Sequence, residues 1–231
     1  MTESNTHGIR LASSTMNYVL ISFLLAAFAA SESLADTKLQ CKLPKVNIPQ
    51  DWITMVDPCV QKMKDQVQQE LTASMTYLAM GAHFSRDTVN RPGFAKYFFE
   101  SAKEEREHAI KFLEYLLMRG GLTEDLSSLI KSPEPNADTW PDAITALRDA
   151  LKLEAHVTRK IRDIIKVCEE PPTKEGEPFN DYHLVDYLSG DFLTEQYEGQ
   201  RDLAGKISTL GKMMAQNGQL GEFMFDKNLL E

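Results

Sequence analysis

A period constrains this chain more than any other feature. From Asp57 to the C-terminus, apolar residues recur every third or fourth position, and breakers are few and widely spaced, so the chain reads as all-α. The first helix takes Asp57 as N-cap and Pro58 at its first helical position. It carries Val60, Met63, Val67, Leu71, Met75, Leu78 and Ala82, and ends near Ser85. Pro92 opens the second, whose stripe is Phe94, Phe98, Ala102, Glu105, His108, Phe112 and Leu116 before Gly120-Gly121 stops it. The third starts at Thr139 as N-cap, with Pro141 and Asp142 in its first turn, and shows Leu147, Leu151, Glu154, Thr158, Ile161 and Ile165. The fourth begins near Asn180, after the breaker PPTKEGEP, and shows Val185, Ser189, Phe192, Gln196, Leu203, Ile207 and Leu210. A short amphipathic piece closes the chain from about Gly218 to Leu230.

Amphipathic helices of this length cannot bury their stripes alone, and a four-helix bundle is the economical packing. Short links make the first and second helices antiparallel, and likewise the third and fourth. About eighteen residues separate the second from the third, a length that fits a compact domain only if the segment crosses the bundle lengthwise. In that topology the start of the first helix and the end of the third share one end of the bundle. Cys59 and Cys168 occupy those positions and are expected to pair within the chain, which leaves Cys41 for a neighbouring subunit. A free buried thiol is the alternative for the odd cysteine.

The ends of the chain and its charge set the context. Residues 18 to 30 form an apolar run too short to span a bilayer, and Ser33 and Ala35 stand at the small positions of a cleavage site before Asp36. Residues 1–35 therefore read as a secretory signal peptide, with Met16 as an alternative start. Residues 36–56 read as an N-terminal extension, 57–213 as the bundle and 214–231 as the short fifth helix. Lys and Arg number 25 against 34 Asp and Glu, a formal charge of −9 with no long basic run, which excludes nucleic-acid binding driven by phosphate neutralisation. The mature chain has no membrane segment, and the exported location suits disulfides.

Chemistry enters where the stripes are interrupted. Glu105, Glu154 and Gln196 each sit near the centre of an otherwise hydrophobic face, while Glu70 and Tyr77 lie at the edge of the first stripe. Burying carboxylates without positive charge costs several kcal/mol each, and no Lys or Arg shares these stripes. A divalent cation is the remaining source of charge. His108 follows Glu105 by three residues on the same helical face, and such a Glu-x-x-His unit with inward glutamates from other helices matches the ligand shell of di-iron and di-manganese bundles. Residue by residue, plainer readings stay open: a hydrogen-bonded core histidine for His108, ordinary core for Tyr77, a register one residue off for Glu154 and Gln196. An empty-cored secreted signalling bundle is the rival reading of the whole chain.

The segments QELTASMTYLAM, FAKYFFESAKEEREHAIKFLEYLLMRGG, ALKLEAHV, FLTEQ and FMFDKNLLE together resemble a heavy-type ferritin, from about Val60 to the C-terminus. With the leader, the cysteines and the Pro-rich insertion, the chain is most similar to the secreted heavy-chain ferritins of insects. The resemblance implies a ferritin-like bundle with one long crossover and a ferroxidase centre that oxidises Fe(II) with dioxygen. Glu70, Glu105 and His108 would hold the first iron. Glu105 would bridge to a second, bound also by Glu154, with Gln196 near it and Tyr77 hydrogen-bonding behind. It further implies a hollow shell of twenty-four subunits, homo-oligomeric or shared with a light-chain homologue, and iron stored as mineral. Two positions depart from the family's pattern. Ser189 stands where a second acidic residue joins Asp186 at the entry channel, and Ile110 where a third carboxylate follows Glu104 and Glu107 at the nucleation surface.

Overall fold

The computed structural model describes residues 46–123, 125–135, 137–170 and 180–231. The chain divides into two units, Met1–Ile48 and Pro49–Glu231. Of the first, only residues 46–48 are described. The segment read as a signal peptide, residues 36–45 of the N-terminal extension with Cys41, and the PPTKEGEP breaker thus lie outside the described residues.

The second unit is helical, with no strand among the described residues. Its elements are α1 (Asp57–Ser85), α2 (Pro92–Met118), the single turn α3 (Leu126–Leu129), α4 (Ala143–Glu169), α5 (Tyr182–Tyr187), a π-helical turn (Leu188–Phe192), α6 (Leu193–Asn217) and α7 (Gln219–Asn228). None of these helices is long and apolar enough to cross a membrane.

Side-chain pairings fix the topology. Tyr77 stacks on Phe98 and Phe84 packs on Phe94, so α1 and α2 are antiparallel. Thr158 meets Gln196, and Ile144 lies beside Gly211, so α4 and α6 are antiparallel too. The crossover runs the length of α1. It leaves near Thr54, which Arg119 contacts, donates the Lys131 amide to Gln68 at 2.8 Å, and arrives with Trp140 edge-on to His83. Cys59 and Cys168 are bonded, with their Cα atoms 5.5 Å apart, at the end where α1 starts and α4 finishes. The lengthwise crossover brings them there.

Several helix ends differ from the sequence reading. Val56, not Asp57, precedes α1, and no side chain caps it, so Asp57 acts through its charge in the first turn. Asp142 rather than Thr139 caps α4, accepting the Thr145 amide at 2.8 Å. Pro141 falls just ahead of that cap instead of inside the first turn. α2 stops as read: Gly120 adopts φ 69°, the Gly120 amide bonds Leu117 O and the Gly121 amide bonds Leu116 O. That is the closed helix end that glycine permits at least cost.

The fourth helix is not one regular helix. The π-helical turn Leu188–Phe192 widens it, and the buried residues become Leu184, Leu188, Phe192 and Gln196, at a constant spacing of four. Ser189, read as inward, is exposed for that reason, and Val185 is only half-buried. The first stripe also shifts. Cys59, Met63, Gln66, Val67, Glu70, Ala73, Tyr77, Met80 and Phe84 are buried, whereas Leu78 is 44% exposed. Glu70 and Tyr77 therefore stand at the centre of the face, not its edge.

Two apolar clusters divide the bundle. One gathers around the disulfide with Met63, Val67, Phe112, Leu116, Ile161 and Phe192. The other is aromatic, with Phe84, Phe94, Phe98, Trp140 and Phe225. A buried polar band of Gln66, Glu70, Glu105, His108, Glu154, Thr158 and Gln196 lies in the bundle between them.

The last helix is tied down by its own carboxylates. Asp226 Oδ1 accepts the amides of Gly93 at 2.8 Å and Phe94 at 3.1 Å, capping α2 from 133 residues away. Glu222 accepts the Ala143 amide at the start of α4 and pairs with Arg91 at 2.8 Å. A Cβ on Gly93 would lie 1.8 Å from Asp226 O, so only glycine fits there.

Candidate metal centre

Each residue of the polar band lies on the face that its helix turns to the core. Glu105 and His108 stand three apart on α2, between Ala102 and Phe112, both of which are buried. Glu70 stands one turn after Gln66 on α1, and the Gln66 amide donates to Glu70 Oε1 at 2.7 Å. Glu154 comes from α4, Gln196 from α6.

The structure brings Glu70, Glu105 and His108 together, with one donor atom from each lying within 4.8 Å of the others. Glu70 Oε2, Glu105 Oε2 and His108 Nδ1 are all buried without a hydrogen-bond partner. Buried polar atoms almost always have partners, and three orphans facing one point call for a missing group. Two carboxylates and an imidazole are a donor set for a borderline divalent transition metal.

Glu154 and Gln196 complete the same neighbourhood. With Glu105, His108 and Tyr77 they line a cavity of about 220 Å³. Tyr77 donates its hydroxyl to Glu154 Oε1 at 2.5 Å. Thr158 Oγ1 lies 2.6 Å from both Gln196 Oε1 and Gln200 Nε2, which fixes the Gln196 amide. The six residues singled out from the sequence thus converge on one place.

Electrostatics there are unbalanced. Burial, followed by the negative charge of Glu105, holds Glu70 well above the usual carboxylate range. Burial and then Glu154 do the same to Glu105. Burial also raises Glu154, although the hydrogen bonds from Tyr77 and Gln196 pull it back. Tyr77 is pushed up by burial and by the adjacent Glu154. His108, 3.8 Å from Glu105, is the nearest cationic group to these carboxylates, and a divalent cation would supply the further positive charge.

One residue escaped the sequence reading. Glu195 precedes Gln196 and stands outside the apolar stripe, yet its Oε1 lies 3.2 Å from His108 Nε2 and its Oε2 3.5 Å from Lys111 Nζ, at the mouth of the cavity. Its own burial would raise its pKa, but His108 and Lys111 together lower it. The π-helical turn just upstream sets the rotation of α6, and that turn leaves no mark in the apolar period.

Comparison with known proteins shows the family. The Ferritin-like domain family matches residues 60–213. The chain is 54% identical to the ferritin heavy chain of Trichoplusia ni over 93% of its own length and 98% of that protein's. It is 58% identical to the ferritin heavy chain of Papilio xuthus, over 83% and 88% of the two chains. The crystal structure of Trichoplusia ni secreted ferritin superimposes with a TM-score of 0.77 at 59% identity, covering 83% of this chain and 97% of that one. A bundle matched by the family along four helices, and matched by insect heavy chains at more than half of the aligned positions, belongs to the ferritin family.

Proposed function

We propose that this chain is the oxidising subunit of an iron-storage shell. Its heavy-chain relatives support iron storage and ferroxidase function in general. The finer reading is that Fe(II) is oxidised at Glu70, Glu105, His108, Glu154 and Gln196. The observation that carries it is the trio of partnerless atoms on Glu70, Glu105 and His108, buried and facing one another.

In this reading two Fe(II) ions enter as substrate and each gives one electron to dioxygen. Glu70 and His108 hold one ion, Glu105 spans both, and Glu154 holds the other with Gln196 beside it. Tyr77 orients the Glu154 carboxylate through its hydroxyl. A second Glu-x-x-His unit is absent, since Val157 follows Glu154 by three residues and α6 offers Gln196. Fewer anionic donors bind the Fe(III) product less firmly, which suits iron that must move on to a mineral.

The assembly we infer is the family's shell of twenty-four subunits, shared with a light-chain homologue. Similarity to a secreted ferritin and the apolar run of residues 18–30, read as part of a signal peptide, support passage through the secretory pathway. Cys41 would bond a neighbouring chain. At the channel, Asp186 and Asp191 would attract cations without help from Ser189, and with Ile110 exposed beside Glu107, nucleation would draw on the partner chain.

The test is Fe(II) oxidation and oxygen uptake by the assembled protein beside a Glu105→Ala/His108→Ala variant of equal particle size. Fast oxidation that the variant loses is expected. Equal, slow rates in both would overturn the reading in favour of a structural shell subunit.

A further inference from the structure

The exposed face of α4 runs against the charge of the whole chain. His156, Arg159, Lys160, Arg162 and Lys166 are all exposed there and, with Asp163, line one cleft of about 370 Å³. A second cleft continues it onto α1, where Lys62 and Asp65 meet Lys160 and Asp163. Basic side chains outnumber acidic ones across both clefts, on a protein of formal charge −9.

Elsewhere in the structure several cations are matched. Arg91 pairs with Glu222, Lys103 with Glu107, Lys111 with Glu195, Arg119 with Asp181, Lys152 with Asp149 and Lys206 with Asp202. Among the described residues, no carboxylate comes within ion-pair distance of Arg159, Lys160, Arg162 or Lys166. His156 registers their field: burial first, then Lys160 and Arg159, hold it below its ordinary value. Evenly spread surface charge would not leave one helix face so unbalanced.

We propose that this face of α4, with Lys62 of α1, binds a linear sulfated polyanion of the extracellular polysaccharide kind. From His156 to Lys166 the cations extend along about 15 Å of helix, a length that several sugar units of such a chain would follow. No large hydrophobic side chain of α4 is exposed, so the face lacks the apolar centre that a protein interface uses. Fixed cations on an open, solvated surface fit a strongly charged, flexible ligand held by release of its counterions. The secretion proposed above gives the setting, but the binding itself does not depend on it.

The experiment is retention of the assembled protein on immobilised heparin at about 0.15 M salt, with elution followed against salt concentration. An Arg159→Glu/Lys160→Glu variant is compared with a Lys96→Glu/Lys212→Glu variant that makes the same change in net charge elsewhere. Wild type and the second variant should be retained, the first should flow through, and a milder Arg159→Gln/Lys160→Gln variant should show a salt slope smaller by about two. Unchanged particle size and Fe(II) oxidation rate establish that each variant has assembled. Failure of wild type to bind, or equal retention of the Arg159/Lys160 variants, would overturn the proposal. So would displacement by poly-glutamate at lower charge equivalents than by heparin, which would assign the face to an acidic protein.

Discussion

The Tyr77 hydroxyl donates to Glu154 Oε1 at 2.5 Å, joining α1 to α4 through the polar band at the centre of the bundle. Both residues are buried, so the carboxylate oxygen relies on this donor. Tyr77→Phe keeps the ring among Phe98 and its neighbours and removes only the hydroxyl. It should cost about 1–3 kcal/mol by leaving a buried acceptor unpaired, and slow Fe(II) oxidation several-fold. Denaturant midpoints and stopped-flow oxidation together would check this. Loss of stability with an unchanged rate would reduce Tyr77 to a structural role.

Asp226 and Glu222 make the docking of α7 a matter of two helix N-termini. Asp226→Ala should cost about 0.5–2 kcal/mol, the usual range for a lost N-cap. Gly93→Ala should cost more, because its Cβ would strike the Asp226 carbonyl. In both variants the segment after Asn217 should become sensitive to limited proteolysis before the bundle does. Cleavage patterns identical to wild type would show that α7 is held by something else.

The Cys59–Cys168 bond closes a separation of 109 residues. Constraining a loop of about this length contributes up to roughly 5 kcal/mol through the unfolded chain. Cys59→Ser should lower the thermal midpoint measurably and leave Cys168 open to alkylation in denaturant without reductant. Intact mass after alkylation reads the result directly, and an unreactive Cys168 would mean that it has found another partner.

His83 is buried against Phe84 and Trp140, and burial, then Arg86, hold its pKa below the ordinary 6.5. The sign follows from the neutral form being favoured in the folded state. Its contribution is fully present above about pH 6.5 and is lost as pH falls through the lowered value. His83→Gln should therefore have a flatter stability profile and gain on wild type between pH 7 and 5. Parallel melting curves for the two proteins across that range would contradict this account.

Much of the fold was legible because a period of three to four is a local property. The long helices, the Gly120-Gly121 stop and the lengthwise crossover all follow from apolar spacing and breaker positions. Glu105, His108, Glu154 and Gln196 were visible for the same reason, as polar residues in places where the period demanded apolar ones. Glu70 and Tyr77 were harder. The apolar side chains of α1 point to a face through Leu71, Met75 and Leu78, and only packing against α2 and α4 turns the helix so that Glu70 and Tyr77 are central.

The sequence by itself therefore determined the class of fold, the end at which the cysteines meet and most of the polar groups of the buried band. Each of these depends on which residues recur along a single helix, or on how long the links are. Tertiary structure decided the rest. The helix rotation that exposes Ser189 and aims Glu195 at His108, and the capping of α2 by Asp226, depend on contacts between residues far apart in the chain. No local period carries that information, because rotation about a helix axis and the neighbours it selects are settled only when the helices pack.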